Sequence, residues 1–150
     1  MLVRGSNLNQ KNFVYPKDWG QGSRGCFVGG GHRGEGAWTN RIDYITISTP
    51  GNATQFGTST TQGGAGGTSG HGRGLIIGGH NGNPNTITTD IKYVTIATPG
   101  NASDFGDLTD TFRIHEGLSD GSRGCFGGGT RAEDTNSDVI DYITISTIGN

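Results

Sequence analysis

The stretch GSRGCFVGGG, Gly22 to Gly31, returns as GSRGCFGGG at Gly121 to Gly129, and a degenerate copy, GHGRGLIIGG, lies between them at Gly70 to Gly79. Aligned on Arg-Gly, the copies place Arg24, Arg73 and Arg123 at steps of 49 and 50 residues. Two further anchors hold the same step. IDYITIS at Ile42 recurs as IKYVTIA at Ile91 and IDYITIS at Ile140, and PGNATQFG at Pro50 recurs as PGNASDFG at Pro99. Self-similarity at this period marks a chain built of stacked supersecondary units.

Each unit reads as about four short antiparallel strands. Strand two is Arg24–Val28, ended by Gly29-Gly30. Strand three is Arg41–Ser48, with apolar and polar residues alternating between faces. Pro50-Gly51-Asn52 supplies a turn, because Pro presets φ and Gly accepts positive φ. Strand four is short and centred on Phe56-Gly57, and strand one precedes the next Arg-Gly, as in TFRIHEGL from Thr111. The units run over approximately 9–57, 58–106 and 107–150. One unit is too small to bury a face alone, so the units must pack together. The third unit stops before its own strand four, while NFVYP at Asn12 supplies strand one of the first. Residues 2–8 are therefore expected to complete a blade as an N-terminal strand, which covers an open edge.

A strand ending in Gly-Gly, a variable loop, a strand carrying Tyr, then a turn and an aromatic residue resembles the kelch-type β-propeller repeat. The residues that carry the likeness are Gly29-Gly30, Tyr44 and Phe56, then Gly78-Gly79, Tyr93 and Phe105, then Gly128-Gly129 and Tyr142. The wording is similar to kelch-like repeats of marine and cyanobacterial tailed phages. The chain departs from the kelch pattern where Phe56 and Phe105 stand in place of Trp. The resemblance implies an all-β chain of three kelch-like four-stranded blades. Propellers close with about four to eight blades. Three blades imply that two chains pair into one six-bladed β-propeller, since closed homo-oligomers dominate. A β-prism or β-trefoil monomer of three units is the alternative, as is membership of a larger phage assembly.

Composition supports the β reading. Glycine is very frequent, at 30 of 150 residues, but there is no G-X-Y period and only four prolines. That excludes collagen, and the alternating apolar runs argue against disorder. Lys and Arg number 11 against 13 Asp and Glu, with no basic cluster, so nucleic acid is not an expected partner. No apolar run is long enough to span a bilayer as a helix, and MLVRGSNLNQ lacks the apolar core of a signal peptide. The expected location is a virion, or the host cytoplasm before assembly.

Repeat position separates structural residues from candidate sites. Cys26, Leu75 and Cys125 share one position, which marks an apolar slot rather than a thiol site. Neither a metal nor a cofactor is expected, since no second ligand sits at motif spacing. Arg24, Arg73 and Arg123 are expected to tie down backbone carbonyls between blades, or else to line a channel. The GGG run lacks the Lys-Ser/Thr and the helix of a phosphate loop. Surface positions are the default for His32, His71, His80 and His115. The sequons at Asn52 and Asn101 are explained by the repeated Pro-Gly-Asn turn.

The loops between strands two and three keep nearly one length yet share almost no sequence. Such loops are candidates for recognition on a constant scaffold. Trp38 is the leading ligand candidate, because an indole stacks on sugars or packs at interfaces. His32, Arg33, Glu35, His80, Asn81, Arg131 and Asp134 would add polar contacts. The expected function is a non-catalytic structural or binding protein, virion-associated, that recognises a surface glycan or another protein. A lectin-like monomer is the alternative. A small glycan-acting enzyme is a further one, and it needs a carboxylate pair such as Glu35 and Asp134 to converge.

Overall fold

The computed structural model describes residues 24–30, 39–49, 51–60, 63–81, 86–113, 116–131 and 135–149. These residues form ten strands and no helix. The strands are β1 (Arg24–Val28), β2 (Arg41–Thr46), β3 (Thr54–Thr58), β4 (Gly66–Gly70), β5 (Arg73–Ile77), β6 (Asp90–Thr95), β7 (Ser103–Asp107), β8 (Glu116–Ser119), β9 (Arg123–Gly127) and β10 (Ile140–Thr144). They make three antiparallel sheets, ordered β1-β2-β3, β4-β5-β6-β7 and β8-β9-β10. The middle sheet shows a complete unit as a four-stranded meander. The expected strand one of the first unit and residues 2–8 lie outside the described residues.

Repeated sequence gives repeated register. Cys26 faces Tyr44 and Val28 faces Ile42 in the first sheet, as Leu75 faces Tyr93 and Ile77 faces Ile91 in the second. A register shift falls at Ile42/Asp43 and again at Ile91/Lys92, where the last strand pairs on. Such a bulge bends the strand and raises its local twist. Both glycines after each second strand take positive φ: 65° and 124° at Gly29 and Gly30, 56° and 91° at Gly78 and Gly79, 74° and 81° at Gly128 and Gly129. Two successive left-handed residues reverse the chain in a way that side chains with Cβ resist. This explains the Gly-Gly pair in every copy.

Strand alternation gives each sheet two faces. One face carries Arg24, Cys26, Val28, Ile42 and Tyr44 and is called here the arginine face. The opposite, glycine face carries Gly25, Phe27, Ile45 and, just past the strand, Ile47. The sheets stack with the arginine face of one on the glycine face of the next. Ile42 and Phe56 pack with Ile76 and Val94 between the first and second sheets. Leu75, Ile77, Ile91 and Phe105 pack with Phe126, Ile143 and Ile145 between the second and third, and Leu108 and Phe112 extend that core. Phe56 and Phe105, one repeat apart, meet the repeat Tyr edge to face. Tyr44–Phe56 centroids lie 5.8 Å apart and Tyr93–Phe105 centroids 6.1 Å apart, favoured distances for such pairs.

Strand three ends at Thr46 rather than at Ser48, because Thr49 N–H turns back to the Thr46 carbonyl at 3.2 Å. The strand expected within TFRIHEGL forms at Glu116–Ser119, with Arg113 held apart in a bridge to Thr130.

Candidate functional site

Two places gather repeated or polar side chains, at opposite ends of the sheets. Arg73 pairs with Thr95 at one end of β5, and Ile77 pairs with Ile91 at the other, where the strand-two to strand-three loop begins.

At the first end the arginines join neighbouring sheets. Arg24 Nη1 donates to the Ile96 carbonyl at 2.9 Å and to the Ala97 carbonyl at 2.6 Å. Arg73 Nη1 donates to the Ile145 carbonyl at 2.5 Å. Ile96 and Ile145 occupy the same repeat position, so one contact is made twice. Each guanidinium also lies over the Tyr of its own sheet, 4.8 Å from the Tyr44 centroid and 5.1 Å from that of Tyr93. The fork thus stacks on one sheet and donates to the next, which a lysine ammonium cannot reproduce. Arg123 lies 4.9 Å over Tyr142 in the same way. The third sheet has no following sheet among the described residues, and there Arg123 is exposed.

The Pro-Gly-Asn turn strengthens the same joint. Asn101 Oδ1 accepts from Thr58 N–H and Thr58 Oγ1, both at 3.0 Å, and Ala102 N–H donates to the Thr58 carbonyl at 2.8 Å. A Cβ at Gly57 would overlap the Gly100 carbonyl, so only glycine lets the turn seat there. Asn101 is therefore a residue of the sheet-to-sheet joint.

Cys26 packs against the core with Ile76 and Val94. Burial pushes its thiol pKa up, against the pull of Arg24, which disfavours the thiolate.

At the loop end His80 is buried, with 5% of its surface exposed, so the surface position expected for histidines does not hold for it. Its N–H donates to the Gly63 carbonyl at 2.7 Å, and it bridges Gly63 and Ile87 as a continuation of the sheet. Gly64 opens space for the ring, with a Cβ position there only 3.2 Å from His80 Cδ2. Burial pulls the His80 pKa below its usual value, and the Arg113 charge adds to that. Arg113 Nη1 lies 3.5 Å from His80 Nε2, and Arg113 Nε donates to Thr130 Oγ1 at 3.3 Å. Next to Thr130, Arg131 Nε lies 3.1 Å from Asp110 Oδ2, with its guanidinium over Phe112 at 5.9 Å. The structure thus links His80 and Arg131 through Arg113 and Thr130. Asn81 stands aside, its N–H closing the loop onto the Thr86 carbonyl at 3.1 Å. It lines a wide depression with Asn40, Thr60, Thr86 and Asn101.

Sequence reasoning missed Arg113 and Asp110. Arg113 aligns with Gly63 in the second unit, so the repeat gives it no signal. Trp38, His32, Arg33, Glu35 and Asp134 lie outside the described residues. So does His115. Among the described residues, no three His, Cys, Asp or Glu side chains converge as metal ligands.

No protein-family model matches the chain, and no curated protein matches it in sequence. Among solved structures it is similar to one described as "Structure of YjhT", with a TM-score of 0.68 and 13% identity. The match covers 85% of this chain and 41% of that one, so this chain spans about two-fifths of that structure. At this identity the likeness concerns the fold alone: an all-β stack of antiparallel meanders.

Proposed function

We propose that this chain is a non-catalytic recognition scaffold, a kelch-like segment of a six-bladed β-propeller. Its loop end binds a surface glycan or another protein, in the setting of a tailed-phage virion. The observation that carries this reading is the contrast between the two ends of the sheets. The arginine end repeats its contacts from unit to unit, with Arg24 and Arg73 on equivalent carbonyls. The loop end changes its residues in every unit while the strands that hold it stay constant. A scaffold with one conserved end and one varied end fits a module whose varied end is read by a partner.

Within the loop end, the polar run His80, Arg113, Thr130, Arg131 and Asp110 offers donors and one carboxylate beside Phe112. Phe112 and His80 are buried beneath this run, and the partly exposed donors of Arg113, Thr130 and Arg131 with the Asp110 carboxylate suit hydroxyl-rich or peptide ligands. The test is a glycan array together with a pull-down against virion proteins, with Arg131→Ala and Trp38→Ala as comparisons. Binding that weakens in these variants supports the reading, and blank results in both assays count against it. The enzyme alternative rests on Glu35 and Asp134. Unchanged turnover of candidate glycans by Glu35→Gln would remove Glu35 from any mechanism.

A further inference from the structure

The two outer faces of the stack are the two halves of a joint that the chain already makes twice. The glycine face of the first sheet exposes Phe27 at 58% and Ile47 at 64%. At the equivalent positions, Ile76 and Phe126 are each 3% exposed and Ile145 is 0%. The arginine face of the third sheet exposes Leu118 at 72%, Ile140 at 73% and Tyr142 at 65%. The Ile42 and Ile91 equivalents of Ile140 are both 0% exposed. Inside the stack these register positions are buried, or half-buried at Ile96, Tyr44 and Tyr93, and at its two ends they are bare.

We infer that these two faces bind each other between two copies of this chain, with Arg123 of one copy on the Ile47 and Ser48 carbonyls of the other. The pairing follows from the repeat. Arg24 reaches the carbonyls of Ile96 and Ala97, and Arg73 reaches that of Ile145. One unit earlier, the positions of Ile96 and Ala97 are Ile47 and Ser48. Arg123 already lies 4.9 Å over Tyr142, the pose that Arg24 and Arg73 hold while donating across their joints. Ile47 then fills the place that Ile145 fills within the chain.

The number of copies proposed follows from the general size of closed rings. The joint is head to tail, so it closes only when the rotation per unit completes a ring. Rings of this architecture take about four to eight blades, and six is the multiple of three in that range. Two copies of this three-unit chain supply six blades, and in a closed ring both joints would form at once. This inference rests on the propeller segment in the proposed function, but not on the loop end binding anything.

The experiment uses two single-face variants of the full chain. Ile47→Asp blocks the glycine face, and Ile140→Asp blocks the arginine face. Native mass spectrometry and light scattering should give one chain for each variant alone. Mixed in equal amounts, they should form a complex holding one copy of each, because one joint then has both native faces. That complex also shows that both variants fold. Arg123→Ala should weaken the wild-type pair by about a hundred- to ten-thousand-fold, because both joints lose a charge-assisted hydrogen bond. An Ile47→Asp chain that stays paired would mean arginine face on arginine face, and would overturn the inference. A mixture that gives no complex would overturn it too. Glycan or protein binding that persists in single chains would leave the proposed function standing while the joint falls. A blank binding screen with an intact pair would do the reverse.

Discussion

Replacing Arg73 by Ala removes the one side chain that both stacks on Tyr93 and donates to the Ile145 carbonyl. A hydrogen bond from a charged donor contributes about 1.5–3 kcal/mol, and a guanidinium over an aromatic ring about 0.5–2 kcal/mol. The contacts are a 2.5 Å hydrogen bond and a 5.1 Å approach to the ring centroid. Both belong to one guanidinium, so they do not simply add, and the expected loss is about 2–4 kcal/mol. Arg123→Ala is the internal control, and all three variants are measured in the Ile47→Asp background so that chains stay single. Arg123 keeps the exposed stack on Tyr142, worth no more than about 1 kcal/mol, and a solvent-screened attraction to exposed Asp120. Arg73→Lys keeps the charge but loses the planar fork, and should fall between the two. Urea unfolding followed by far-ultraviolet circular dichroism gives the three differences. Equal losses for Arg73→Ala and Arg123→Ala, within about 0.5 kcal/mol, would refute the role given to the cross-sheet carbonyl.

Other outcomes follow from the same contacts. Ile145→Ala should cost about 2–5 kcal/mol as a core truncation, while Ile47→Ala at the equivalent open position should cost under about 0.5 kcal/mol in the single chain; urea midpoints compare them. Gly57→Ala should destabilise by about 1–3 kcal/mol or more, because its Cβ meets the Gly100 carbonyl, whereas Gly51→Ala meets nothing within 4 Å and should be far milder. His80 has a depressed pKa in the fold, so the unfolded chain takes up the proton first as pH falls. Its contribution is complete above the unfolded value of 6.5 and is lost as pH drops below it. The drop in urea midpoint between about pH 7.5 and about pH 5.5 should therefore shrink in His80→Asn.

The strands that bury one face were legible because their residues alternate and recur. Arg24–Val28 forms as the repeat indicates, and Phe56-Gly57 sits within Thr54–Thr58. Strand one was hard to place for a physical reason. In the second unit it reads Gly66-Gly67-Thr68-Ser69-Gly70, with no apolar alternation, because it lies against the backbone of the neighbouring unit. A Cβ at Gly70 would overlap the Gly121 carbonyl, and one at Gly117 would lie 2.9 Å from the Gly67 carbonyl. Crowding there selects glycine and erases the pattern that identifies strands elsewhere.

The polar loop end was less legible still. His80, Gly31 and Thr130 share a repeat position with no common chemistry, so nothing in the pattern marks His80 as buried. Its neighbour Arg113 comes from the following unit, and contacts between units leave no trace in single-unit spacing. The arginine joint shows the opposite case. Its residues recur because every joint needs the same fork on the same carbonyl.

The central claim is that three units make half of a ring. The direct measurement is the solution mass of the wild-type chain at micromolar concentration, by light scattering after gel filtration. The wild-type chain should show twice the 15.6 kDa chain mass, falling to a single chain on dilution or in Ile47→Asp. A mass of one chain that holds as the concentration rises would contradict it.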